Sequence, residues 1–309
     1  MERAENLARI IDVNETFSRN SPGGGRNWLS IVQINSDEER FLARYGTATA
    51  ENATAFYVLD GQNPTSILSA VRNARESART LRPLISTEMW TQINMFYNRL
   101  LALGPQDIGR HNIPRLCSWV KEGCQTHTGI TEGTFYRDQG WYFYQLGKYL
   151  ERADQTTRLL DIKYHLLLPA PDQVGSAHDV SQWNALLRSA AGYHAFRRIY
   201  PRGMTPAAVA GFMLFNEGFP RSVQTCIRQL DGLLTDLKSK YMLRGGNAAM
   251  ERIDEISSSL QENSIEQVIG RGLHEYMDWL QLCLSDVTRE LGTDFFGHSP
   301  EVAAIQEQA

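Results

Sequence analysis

Glu151, Asp154, Arg158 and Asp161 stand at i, i+3, i+7 and i+10, with Arg152 next to the first of them. At 100° per residue this spacing aligns the four as one polar stripe along a helix, with Arg152 set about a quarter-turn away. Carboxylates and guanidinium groups held in a row could do acid–base or metal-assisted work on an amide or amine substrate. Glu2, Arg3, Glu5, Arg9 and Asp12 repeat the arrangement near the amino end. Ion pairs on a solvated face would explain one such stripe, each contributing only ~0.3–0.5 kcal/mol. Two diverged copies have no reason to agree on a solvated face, which tolerates Glu, Lys or Gln freely. The agreement points to positions that are buried or functional. One arrangement that uses them sets two motif helices across a pseudo-twofold axis, with Glu2 near Arg152 and Glu151 near Arg3. These ten residues are the candidate site.

Other chemistry is less well supported. Cys117, Cys124 and His127 share a helix face at i, i+7 and i+10, so Cys124 and His127 could chelate a metal. No His-Glu-x-x-His, Cys-x-x-Cys or Glu-x-x-His accompanies them, and buried cysteines with a capping histidine are the expectation. His165 follows Asp161 by one turn and could be polarised by it, but copy one has Thr16 there, so an ordinary, partly exposed histidine is expected. No serine or cysteine occupies a Gly-x-Ser-x-Gly setting. The run Ser21-Pro22-Gly23-Gly24-Gly25-Arg26-Asn27 lacks the ending of a phosphate-binding loop and reads as a flexible connection. No metal or cofactor is expected.

The elements that must position the stripe are helices. Apolar residues recur at three- and four-residue spacing over Thr65–Leu81, Glu88–Leu103, Phe135–Leu168, Trp183–Ile199, Pro220–Lys240 and Ile265–Leu291. On the stripe helix, Leu146, Leu150, Ala153, Thr157 and Leu160 form the opposing apolar face. Breaks are marked by Gly61-Gln62-Asn63-Pro64, Leu168-Pro169-Ala170-Pro171, Tyr200-Pro201-Arg202-Gly203 and Arg244-Gly245-Gly246-Asn247. Glu2–Val13 matches Glu151–Ile162 at an offset of 149, and the match continues through Trp28/Trp183, Phe41/Phe196, Tyr45/Tyr200, Phe56/Phe212, Pro64/Pro220, Ser66/Ser222, Val71/Ile227 and Arg72/Arg228. The expected fold is an all-α helical bundle built from an internal tandem duplication with pseudo-twofold related halves. It is a single domain over 1–309, with repeat one about 1–148 and repeat two about 149–309. Copy two is entered through Phe135–Tyr149, where seven of fifteen residues are aromatic and are expected to be core, whereas copy one starts at Met1. Either a native start upstream of Met1 or a shortened helix that frays there would account for the difference.

The 309 residues carry 31 Lys+Arg against 35 Asp+Glu, a net charge of −4, so no global field draws in nucleic acid or an anionic membrane. The basic segments Arg197-Arg198 with Arg202, and Lys238 with Lys240 and Arg244, are too short to track phosphates and read as solvated or as part of a partner surface. No apolar run approaches the ~20 residues needed to cross a bilayer. The acidic start Met1-Glu2-Arg3-Ala4-Glu5 is unlike an export signal, and Cys117, Cys124, Cys226 and Cys283 read as reduced thiols, so a cytoplasmic location is expected.

The run Gly147-Lys148-Tyr149-Leu150-Glu151-Arg152-Ala153-Asp154, followed by Thr157-Arg158-Leu159-Leu160-Asp161, resembles the signature of the bacterial alpha-E domain, an α-helical domain named for its Glu-Arg motif. The resemblance covers essentially the whole chain. Family members usually open with an aromatic-rich helix leading into Glu-Arg-Ala-Glu-Asn, which copy one keeps only from Glu2 onward. The resemblance implies an ATP-grasp-type ligase and a transglutaminase-like protein as partners in an amide-forming peptide-modification system. This chain would bind the ligase or its peptide substrate, and the ATP chemistry would belong to the partner. A free-standing enzyme using the stripe, or a purely structural scaffold, are the alternatives.

Overall fold

The computed structural model describes residues 1–20, 28–166, 177–201 and 203–297, and every regular element among them is an α-helix. These form two compact units, Met1–Tyr136 with Asn184–Tyr193, and Arg137–Trp183 with His194–Ala309. Ser21–Asn27 and Leu168–Pro171 lie outside the described residues.

The first unit contains α1 (Glu2–Asn20), α2 (Trp28–Ile34), α3 (Glu38–Tyr45), α4 (Ala50–Val58), α5 (Ile67–Thr80), α6 (Thr87–Leu101) and α7 (Ile113–Thr134). Four of them close a ring, α1 packing on α5, α5 on α6, α6 on α7 and α7 back on α1. Leu7, Ile11, Val71, Ile93, Phe96 and Val120 are buried on these four helices, as an amphipathic bundle requires. The short α4 packs against α1, α2 and α5. Its residues Ala53, Thr54, Phe56, Tyr57 and Val58 are all buried, so no polar face marks the helix in the sequence. Phe41 stacks on Tyr45 at 5.4 Å and meets Phe56 edge-on at 5.1 Å.

The second unit also closes a ring of four helices. It is built on α8 (Gln139–Leu166), part of α9 (Ala177–Ser189), α10 (Tyr193–Ile199), α11 (Pro206–Phe215), α12 (Val223–Tyr241), α13 (Asn247–Glu262), α14 (Ile265–Arg271) and α15 (Leu273–Phe296). Here α8 packs on α12, α12 on α13, α13 on α15 and α15 back on α8. Leu146, Leu150, Ala153, Thr157 and Leu160 are all buried, which is the apolar face expected of α8. Phe196 stacks on Tyr200 at 4.8 Å and meets Phe212 edge-on at 5.5 Å.

Helix starts and stops follow local chemistry. Thr49, Ser66, Ser86, Thr205 and Ser222 each cap a helix by accepting an amide hydrogen bond from three residues on. Two expected helices are broken. The apolar pattern of Trp183–Ile199 crosses a stop at Ala191, which sits at φ 58° while the Gly192 amide turns back to the Leu187 carbonyl at 2.7 Å. The pattern of Ile265–Leu291 crosses Gly272, whose φ of 113° and ψ of 108° suit glycine and separate α14 from α15. The aromatic run before Tyr149 is also not the core that its composition suggests. Phe135 is buried, but Tyr136 is exposed and Trp141, Tyr142, Phe143, Tyr144 and Tyr149 are half-buried, where this part of α8 meets the end residues Tyr241 of α12 and Phe295 and Phe296 of α15.

Candidate functional site

In the first unit the stripe lies on α1, the helix that α5 and α7 flank. Glu5 is buried, while Glu2, Arg3, Arg9 and Asp12 are half-buried. Arg9 Nε donates to Glu5 Oε1 at 3.0 Å along the helix. Asp12 reaches across to α7, where Lys121 Nζ donates to its Oδ2 at 2.6 Å. One turn on, the fully buried Glu15 accepts from Arg110 Nε at 3.3 Å.

In the second unit α8 carries Glu151, Arg152, Asp154, Arg158 and Asp161, all half-buried. Arg158 Nε donates to Asp154 Oδ2 at 2.8 Å, the same four-residue pairing as Arg9 with Glu5 on α1. Glu151 accepts from Gln155 Nε2 at 3.2 Å. The Arg152 guanidinium lies 5.6 Å from the Tyr149 ring centroid and donates to the Pro220 carbonyl at 3.4 Å, tying the Glu-Arg pair to the loop before α12. Asp161 Oδ1 accepts from His274 Nδ1 on α15 at 2.6 Å, and His274 Nε2 lies 3.4 Å from Asp278 Oδ2 one turn further along α15. The hydrogen bond to Asp161 raises the His274 pKa above the usual imidazole range, against a smaller opposing effect of burial.

Each unit therefore uses its motif aspartate to clamp the motif helix onto the last helix of its ring, with lysine answering in one and histidine in the other. Sequence reasoning did not find Lys121, Arg110, His274 or Asp278, because the partners of Asp12 and Asp161 lie 109 and 113 residues away. The spacing of His274 and Asp278, four apart on one helix, was the available signal.

Cys117 and Cys124 are buried as expected, but the histidine is placed differently. His127 does not stand at a helix end: it lies inside α7, buried, with Nδ1 3.2 Å from Gln92 Oε1, and burial lowers its pKa to about 4. Cys117 and Cys124 are free and buried on the same helix, and burial pushes both thiols up. Cys226 and Cys283 are likewise free and buried. The His165 side chain lies outside the described residues; the imidazole against Asp161 is that of His274. Arg197, Arg198, Lys240 and Arg244 are exposed. No helix among the described residues is long and apolar enough to cross a membrane.

The family model Alpha-E, described as a predicted alpha-helical domain with a conserved ER motif, matches residues 1–296. The chain belongs to the Alpha-E family. In this Alpha-E chain the pairs Glu2-Arg3 and Glu151-Arg152 stand on α1 and α8, the helices that each ring closes upon. It is 24% identical over 298 residues to the uncharacterised protein Mb2597 of Mycobacterium bovis and to the uncharacterised protein Rv2567 of Mycobacterium tuberculosis, matches that cover 88% of this chain and 32% of each relative. The Alpha-E chain thus spans about a third of the length of these curated relatives. No solved structure matches it significantly.

Proposed function

We propose that this Alpha-E domain is a cytoplasmic, non-ATPase component of an ATP-grasp amidoligase system, where it binds the ligase or its peptide substrate alongside a transglutaminase-like protein of the same peptide-modification pathway. The observation that carries this reading is where the motif charges go. Glu5 with Arg9, Asp12 with Lys121, Asp154 with Arg158 and Asp161 with His274 join turns or helices within a unit, which supports a structural role for the stripe and agrees with a domain whose partner carries the ATP chemistry. Support also comes from the relatives, in which the matching segment is one part of a chain about three times as long, the setting of a module that works beside others. Affinity purification from native lysate, comparing wild type with a folded Glu151→Ala/Arg152→Ala variant, tests it. Wild type is expected to retain an ATP-grasp ligase and the variant to lose it. Failure of wild type to retain any such ligase removes the reading.

We also infer a tandem duplication with pseudo-twofold related halves, repeat one about 1–148 and repeat two about 149–309. It is supported by a helix order that matches apart from the additional α14, by the equivalent rings, and by small details that packing alone does not require. Ser66 and Ser222 each cap a helix while donating to a loop carbonyl, of Asp60 and Asn216 respectively. Arg72 and Arg228, six residues after those serines, donate to the carbonyls of Gly61 and Glu217.

A further inference from the structure

We propose that the α5–α6 face of the first unit is a docking surface for an acidic peptide segment of a partner protein. Arg75 and Arg79 stand one turn apart on α5, Arg82 follows just beyond its end, and Trp90, Asn94 and Tyr97 stand at i, i+4 and i+7 along the neighbouring α6. The two sets meet. Arg75 Nε donates to Asn94 Oδ1 at 2.8 Å, and its guanidinium lies 5.1 Å from the Tyr97 ring centroid and 5.6 Å from that of Trp90. The Arg82 guanidinium lies 5.8 Å from the same Trp90 ring. These contacts hold the planar forks in place before a ligand arrives, which lowers the entropy lost on binding.

The face carries more positive charge than it neutralises. Glu76 accepts from Arg75 Nη1 at 2.6 Å and from Arg79 Nε at 2.7 Å, so one carboxylate serves two arginines. These hold Glu76 below the usual carboxylate range, the hydrogen bond from Arg79 first. Arg82 has no carboxylate partner among the described residues. Glu88 comes two residues before Trp90, which places it on the other side of α6. Beside the arginines, Leu81 and Leu84 are 46% and 51% exposed in the turn that joins the two helices. Arginine, tryptophan and tyrosine are the side chains that dominate binding at protein interfaces. A carboxylate matches the guanidinium fork, and the leucines would cover an apolar side chain of the same segment. Single-stranded nucleic acid fits less well, because Trp90 already carries two guanidinium groups and three arginines are too few to track a phosphate chain.

Packing does not require this arrangement. Counted from the capping serines Ser66 and Ser222, α12 has Asp231 and Thr235 where α5 has Arg75 and Arg79. The second unit closes its ring without them.

The proposal rests on the reading of this domain as a binding module, but not on a ligase being the partner, so its test uses purified protein. Fluorescence anisotropy of the full chain is measured with a labelled dodecapeptide of four Glu-Glu-Leu repeats, its Lys-Lys-Leu counterpart and a single-stranded oligonucleotide. The acidic peptide is expected to bind, more weakly as salt is raised, and the basic one not to bind. Arg79→Ala/Arg82→Ala is expected to weaken binding at least about tenfold with the melting temperature unchanged. Arg82→Lys, which keeps the charge and loses the fork, should weaken it several-fold, while Arg198→Ala, an exposed change in the second unit, leaves it as it was. If wild type does not bind the acidic peptide, if both α5–α6 variants bind it as wild type does, or if the oligonucleotide binds more tightly, the proposal fails.

Discussion

His127 is an imidazole that folding keeps uncharged. In the unfolded chain it takes up a proton near pH 6.5, whereas in the folded chain burial delays this to about 4. Between these values the unfolded state binds more protons, so stability rises with pH across the window and falls as the medium is acidified through it. The expected loss on going from pH 6.5 to pH 4 is about 3 kcal/mol. Urea unfolding of wild type and His127→Gln across that range checks it, the variant losing this part of the slope; an equal slope in both would place the acid sensitivity elsewhere. At this scale the sequence was half legible. The stripe positions could be read as a set, because two segments of one chain, Glu2–Asp12 and Glu151–Asp161, agree on them. The side chains that answer Asp12 and Asp161 could not, since a separation of more than a hundred residues leaves no local pattern.

Within single helices, two glycines make opposite predictions. Gly123 lies in α7, where an added Cβ would come within 2.6 Å of the Phe96 ring on α6. Phe96 is itself buried, so the ring has nowhere to move, and overpacking of this kind costs about 1–3 kcal/mol. Gly147, on the exposed side of α8, would meet nothing within 4 Å. There alanine recovers up to about 1 kcal/mol of helix propensity. Thermal melts of Gly123→Ala and Gly147→Ala should therefore move in opposite directions, and two shifts of the same sign would contradict the packing described. Amphipathic helices were legible from spacing alone, as the buried face of α8 shows. Where periodicity failed, it failed for definite reasons. The apolar spacing runs straight through Ala191 and Gly272, where backbone conformation ends a helix, and α4 is buried on too many sides to carry a polar face.

For the molecule as a whole, the proposed duplication makes a quantitative demand. Ser66 and Ser222 have the same two tasks in the two units, accepting an amide at a helix start and donating to a loop carbonyl. Both are fully buried. Ser66→Ala and Ser222→Ala are each expected to cost about 1–2 kcal/mol, and by similar amounts, in chemical denaturation. A large cost at one serine with none at the other would show that the two halves have drifted apart in how they are held. A different consequence follows from the way the chain is shared out. The first unit takes in Asn184–Tyr193, which comes after the whole of α8 along the chain. During synthesis, the opening helix of the second unit has left the ribosome before the first unit has all of its parts. The first unit therefore cannot complete its fold until a helix that belongs to the second has been made, although most of the second unit is still to come.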